Sequence, residues 1–141
     1  MSLREDFAVN IVKVLKDMAD PKPVLVTREP FDVEKLAVTQ FPAILVQTTN
    51  ETRSDISMGI NRQGIISYSI RAFVRGTELD TKRNDIIERI EETLDSDRTR
   101  GTSTKSMITQ VRNISVIERL SPLAEVLITV EVRYKYTKGV N

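Results

Sequence analysis

Between Leu123 and Thr137 hydrophobic and polar residues alternate. Ala124, Val126, Ile128, Val130, Val132, Tyr134 and Tyr136 fall on one side, and Glu125, Thr129, Glu131, Arg133, Lys135 and Thr137 on the other. Successive side chains of an extended chain point to opposite faces, so this period of two predicts a long strand with one face packed and one wet. A strand buried on both sides, as in a parallel sheet sandwiched by helices, would not carry the charges of Glu125, Glu131, Arg133 and Lys135. The segment therefore calls for a mostly antiparallel sheet covered on one face.

The cover is written elsewhere in the chain. Leu3, Phe7, Ile11, Val14, Leu15 and Met18 recur at steps of three and four, which predicts an amphipathic helix over 3–19. Asp20-Pro21-Lys22-Pro23 stops it, because proline cannot continue a helix. A second stripe, Ile86, Ile87, Ile90 and Leu94, predicts another helix, capped by Thr77 or Thr81 and braced by an Asp85–Arg89 pair.

The remaining apolar runs read as strands. Val24–Arg28 suits an edge, Ala43–Thr49 a buried position, and Gly64–Arg75 alternates with Ile66, Tyr68, Ile70, Ala72 and Val74 on one face. Ile108–Leu120 pairs with Leu123–Thr137 across a Ser121-Pro122 turn. Residues 31–41 have room for one helical turn at Val33, Leu36 and Ala37. Residues 50–63 read either as a long polar loop or as a hairpin arm, and 95–106 as a polar loop. The expected fold is α+β, a mostly antiparallel sheet of about five strands with two helices on one face, in the order α-β-β-β-α-β-β. No repeat or linker divides residues 1–141, so one domain is expected.

Composition narrows function. There is no cysteine and no histidine, which removes thiolate chemistry, the commonest general base and the commonest metal ligand. Twenty-one basic against twenty acidic residues leave no basic excess for a large nucleic-acid footprint. Neither a signal peptide nor an apolar run long enough for a membrane span is present, so a cytoplasmic setting and no membrane partner are expected.

Candidate chemical motifs fail on their own terms. Asp95-Ser96-Asp97 opens like a calcium loop, but Thr99 and Arg100 stand where an oxygen ligand and a glycine are needed. Gly59 and Gly64 have phosphate-loop spacing, yet Ile65-Ile66 replaces the Lys-Ser/Thr that would hold phosphate and magnesium, and both glycines read as turn residues. No catalytic, cofactor-binding or metal-binding residue is assigned, and no enzyme activity is expected. A carboxylate-dependent hydrolase ranks last among the readings. A nucleic-acid module built on Arg71 and Arg75 ranks higher, although Phe73 alone offers a stacking surface on that face.

In layout the chain resembles the tail terminator proteins of tailed bacteriophages and, more loosely, their neck and tail-completion proteins. The likeness runs through the N-terminal helix, the strand entry Phe41-Pro42-Ala43-Ile44-Leu45-Val46 and the strand end Phe73-Val74-Arg75-Gly76. It continues in the helix Asp85-Ile86-Ile87-Glu88-Arg89-Ile90-Glu91-Glu92-Thr93-Leu94 and the closing Val132-Arg133-Tyr134-Lys135-Tyr136. The resemblance implies a structural virion protein at the tail–neck junction, assembled in the host cytoplasm. It implies a homohexameric ring that caps the head-proximal end of the tail tube and stops its polymerisation. Its partners would be copies of itself, the tube and sheath proteins and the neck connector, with DNA passing through the lumen without sequence-specific binding. Contacts are expected from the charged arm (Glu51, Arg53, Asp55, Arg62), the wet strand face (Arg71, Arg75, Glu131, Arg133, Lys135) and the polar loop (Arg98, Arg100).

Overall fold

A computed structural model describes residues 3–55, 61–96 and 108–137, the side chains of residues 3, 54, 55, 61, 62 and 135–137 excepted. The order is α1 (Leu3–Lys16), β1 (Leu25–Thr27), two 3-10 turns (Val33–Lys35 and Val38–Gln40), β2 (Ala43–Asp55), β3 (Asn61–Arg75), α2 (Leu79–Asp95), β4 (Ile108–Ile117) and β5 (Leu123–Thr137). The five strands form one sheet in the order β1-β2-β3-β5-β4. This is the expected α+β fold.

Both helices lie on the face that the alternation marked as apolar. Phe7, Ile11 and Leu15 of α1 and Ile86, Ile90 and Leu94 of α2 are fully buried against Ile44, Val46, Ile66, Ile70, Val126, Ile128 and Val130. Each such side chain contributes about 1.5–3 kcal/mol on leaving water, so burial rather than helix propensity holds α1 and α2 in place. The α1 helix closes at Lys16, short of Ala19. A loosened turn follows, with Asp17 N donating to Lys13 O at 3.2 Å and Met18 N to Leu15 O at 3.3 Å, and Met18 still reaches the core. At the other end of α1, Glu5 receives two hydrogen bonds from Arg28, 2.6 and 3.0 Å, tying the helix to the end of β1.

The sheet is mostly antiparallel, as expected, with one parallel pair. β1 pairs with β2 in parallel, Leu25 opposite Ala43, whereas the other strand pairs are antiparallel. The reason lies in residues 28–42, which do not turn back directly but cross the outer face of the sheet. Phe31, Leu36 and Phe41 pack there on Val33, Ala43, Leu45, Phe73 and Leu123. That second apolar cluster means the outer face is not uniformly wet, and even Glu125 is buried.

The described residues of 50–63 take the hairpin alternative, residues 56–60 lying outside those described. β2 runs on to Asp55, opposite Arg62 of β3, past a register shift between Thr48 and Glu51. Gly64 is therefore no turn residue; it lies inside β3 between Arg53 and Tyr134.

The start of α2 also departs from expectation. Its N-cap is Glu78, at φ 53° and ψ 47°, with no side-chain capping bond, so neither Thr77 nor Thr81 caps it. Gly76 just before has φ +125°, a conformation open to glycine, and the reversal puts Lys82 Nζ 3.3 Å from Arg75 O. Further along, Arg89 turns away from Asp85 to bond Glu92 at 2.8 Å and Asp20 O at 3.1 Å. The fourth strand stops at Ile117, three residues before the expected Leu120, where the chain leaves the ladder for the turn. The polar stretch 97–106 lies outside the described residues.

Candidate interaction surface

Glu51 stands at the base of the β2–β3 arm, where the register shift turns its side chain toward α1 and β5. Arg4 Nε donates to one carboxylate oxygen; Arg53 Nε and the Tyr134 hydroxyl, each at 2.7 Å, donate to the other. Burial pushes the carboxyl up, but hydrogen bonds from Arg4, Tyr134 and Arg53 outweigh it and hold the pKa at about 2. With only 13% of its side chain exposed, Glu51 is an internal anchor and not the free contact residue expected from the sequence. Tyr134 reaches it by lying across β3 at Gly64, where an added Cβ would come within 2.4 Å of the ring. A glycine interrupting an alternating strand is the sequence signal for such a close approach.

Arg71 and Arg75 do share the outer face, but each is engaged. Arg71 lies 3.4 Å from Glu125, whose side chain is wholly buried, and Arg119 binds the same carboxylate at 2.6 Å. Phe73 is buried, with Phe31 against its edge at 5.5 Å and the Arg119 guanidinium over its face at 5.6 Å. It is therefore closed to stacking by a base. Arg75 sits 6.0 Å over the Phe41 ring. The residues that build this arrangement, Arg119 and Phe31, were missed in the sequence because neither belongs to a periodic segment.

Farther along the outer face Glu131 pairs with Arg112 at 3.3 Å. Arg133 Nε and Gln110 Oε1, from neighbouring positions on β5 and β4, are buried without a hydrogen-bond partner. Of the other expected contact residues, Arg53 is spent on Glu51. Asp55, Arg62 and Lys135 lie on β2, β3 and β5 with side chains outside the described ones, and Arg98 and Arg100 lie outside the described residues altogether. The structure thus gathers Arg71, Glu131 and Arg133 on one face and separates Glu51 from them.

Exposed apolar side chains concentrate elsewhere, at the β4 edge and the ends of the strands. Ile108 is 44% exposed, Val116 50% and Leu120, in the β4–β5 turn, 91%. An open cleft of about 470 Å³ lies between the second 3-10 turn and the start of α2, lined by the apolar Val38, Phe41, Pro42 and Val74 and by the charged Arg75, Lys82, Asp20 and Asp85. A second depression of about 380 Å³ lies over Phe73 and Arg71. Among the described residues no cluster of three acidic side chains has the geometry to hold a metal ion, and no helix is long and apolar enough to cross a membrane. A scan against protein-family models finds none that matches this chain, and no curated protein matches it either.

Proposed function

We propose that this chain is a structural assembly protein, a tail terminator that forms a ring on the head-proximal end of a phage tail tube, halts tube growth and joins the tube to the neck. One observation carries the assembly part. The sheet ends at β4, a ten-residue strand whose outer side pairs with no other described strand. Ile108, Ile114 and Val116 are exposed along it. Monomeric proteins blunt such edges with short strands, lysines or prolines. The opposite edge, β1, is three residues long, but β4 carries one charge, Arg112, and one irregularity of register beside it. An edge of this kind is what a chain retains when another surface covers it.

The tail-terminator part rests on element order and on the resemblance over nearly the whole chain. Near-neutral net charge fits a channel through which DNA slides without sticking. Mass photometry and negative-stain electron microscopy test the reading together. The expected result is an annular particle near six times 16.0 kDa, about 96 kDa, formed alone or on adding tube protein from the same source. A monomer at every concentration, with or without tubes, would end the proposal.

A further inference from the structure

Residues 30–41 lie on the outer face of the sheet without bonding to it. Their hydrogen bonds close within the segment. Lys35 N donates to Asp32 O at 3.0 Å, Leu36 N to Val33 O at 3.3 Å and Gln40 N to Ala37 O at 2.9 Å. Asp32 Oδ1 accepts from Glu34 N at 3.1 Å, and Gln40 Oε1 from Ala37 N at 3.0 Å. Among the described residues, no member of the segment forms a hydrogen bond or ion pair with a strand or helix. What holds it down is apolar contact, with Phe31, Val33, Leu36 and Phe41 packed over Ala43, Leu45, Phe73 and Leu123.

The two ends are fixed by other means. Before the segment, β1 is laddered to β2, sends Val26 into the main core, and is tied to α1 by the two bonds from Arg28 to Glu5. After it, Pro42 O accepts from Val24 N at 2.9 Å and from Leu25 N at 3.4 Å. The span between these clamps rests on a small cluster of its own, on the sheet face opposite the one that seats α1 and α2. Apolar contact is non-directional, and the segment carries its hydrogen bonds with it, so lifting it leaves no donor or acceptor buried without a partner.

We propose that residues 30–41 are a strap that lifts from the outer face as one unit while the sheet and both helices stay folded. The outer face then has two states, closed over Phe73 and open. Local opening of this kind is cheapest where few contacts hold a segment and none of its backbone is laddered to the rest. Opening uncovers Ala43, Leu45, Phe73 and Leu123. It also reaches the buried charge beside them. Phe31 backs the edge of Phe73, the face of Phe73 carries Arg119, and Arg119 binds Glu125 at 2.6 Å. The strap is a property of the single copy and stands whether or not copies assemble.

A chain without cysteine permits a direct test by thiol labelling. Ala43 and Ala72 are both buried, on neighbouring strands, the first under the strap and the second under the helices. Ala43→Cys and Ala72→Cys are made separately and exposed to an aromatic disulfide reagent in the absence of denaturant and at low urea. The Ala43→Cys thiol is expected to react at least tenfold faster, at a rate that urea hardly changes. The Ala72→Cys rate should climb steeply with urea, as global unfolding does. Adding Phe31→Ala should speed the first thiol about tenfold again and leave the second unchanged. Should either alanine site not accept the thiol, Leu45→Cys against Val46→Cys repeats the comparison on the two faces of β2. Equal rates with the same steep urea dependence would mean that the strap leaves only when the whole chain unfolds, and would overturn the proposal. A Phe31→Ala change that speeds both thiols alike would do the same.

Discussion

Glu51 concentrates three hydrogen bonds on one carboxylate, and its titration is therefore a measurable quantity. Its folded pKa, about 2, lies below the ordinary 4.5. A depressed carboxylate contributes stability that is complete above the unfolded value and lost as pH falls toward the folded one. The window here is pH 4.5 down to 2, and the contribution, allowing for solvent screening, is on the order of 1–2 kcal/mol. Glu51→Gln should lose about that much at pH 7 in denaturant unfolding and then lose less than the parent on acidification through the window. Parallel curves between pH 5 and 2 would show that the carboxylate's partners are not those seen. Gly64 belongs to the same knot. Gly64→Ala places a methyl 2.4 Å from the Tyr134 ring and should cost about 1–3 kcal/mol, and Tyr134→Ala should cost less in that background than alone. Additive effects would mean the two side chains do not meet. The period of β3 assigned Gly64 no neighbour, because a strand pattern fixes which face a residue takes and says nothing about what crosses over it.

Among the elements, those with a sustained period were legible and those held by aperiodic contacts were not. The β5 alternation and the stripes at Phe7, Ile11, Leu15 and Ile86, Ile90, Leu94 all recur in the packed face. What lacked a signal was the crossing segment. Phe31, Leu36 and Phe41 follow no repeat, so neither the second cluster nor the parallel pairing of β1 that it enforces could be read. The end of β2 was left open between loop and hairpin arm for a related reason: polar residues from Glu51 to Asp55 carry no strand pattern, and it is pairing with β3 that makes them strand. The same distinction predicts different responses to substitution. Ile90→Ala, under α2 and fully buried, should cost about 2–5 kcal/mol. Val116→Thr, on the exposed β4 edge, should change monomer stability by about 0.5 kcal/mol or less while weakening assembly. Equal losses in urea unfolding at a concentration where the protein is monomeric would mean that β4 is covered within a single copy.

At the scale of the whole molecule, folding and association are linked by mass action. If copies join through surfaces that exist only in the folded state, raising protein concentration stabilises the fold, and the midpoint of thermal unfolding climbs with it. A monomer shows no such dependence. The surfaces in question are those of the β4 edge with Leu120, and β4 is laddered to β5 over the core. They therefore disappear when the sheet unfolds, which satisfies the condition. Scanning calorimetry from micromolar to near-millimolar protein should show a midpoint that rises by several degrees. The rise should be absent in Leu120→Glu, whose midpoint should match that of the parent at its most dilute. A parent midpoint that ignores concentration, in a protein that mass photometry nonetheless finds as rings, would mean the ring unfolds without first dissociating. Unfolding scans at different heating rates would then separate a slow, kinetically held ring from one at equilibrium.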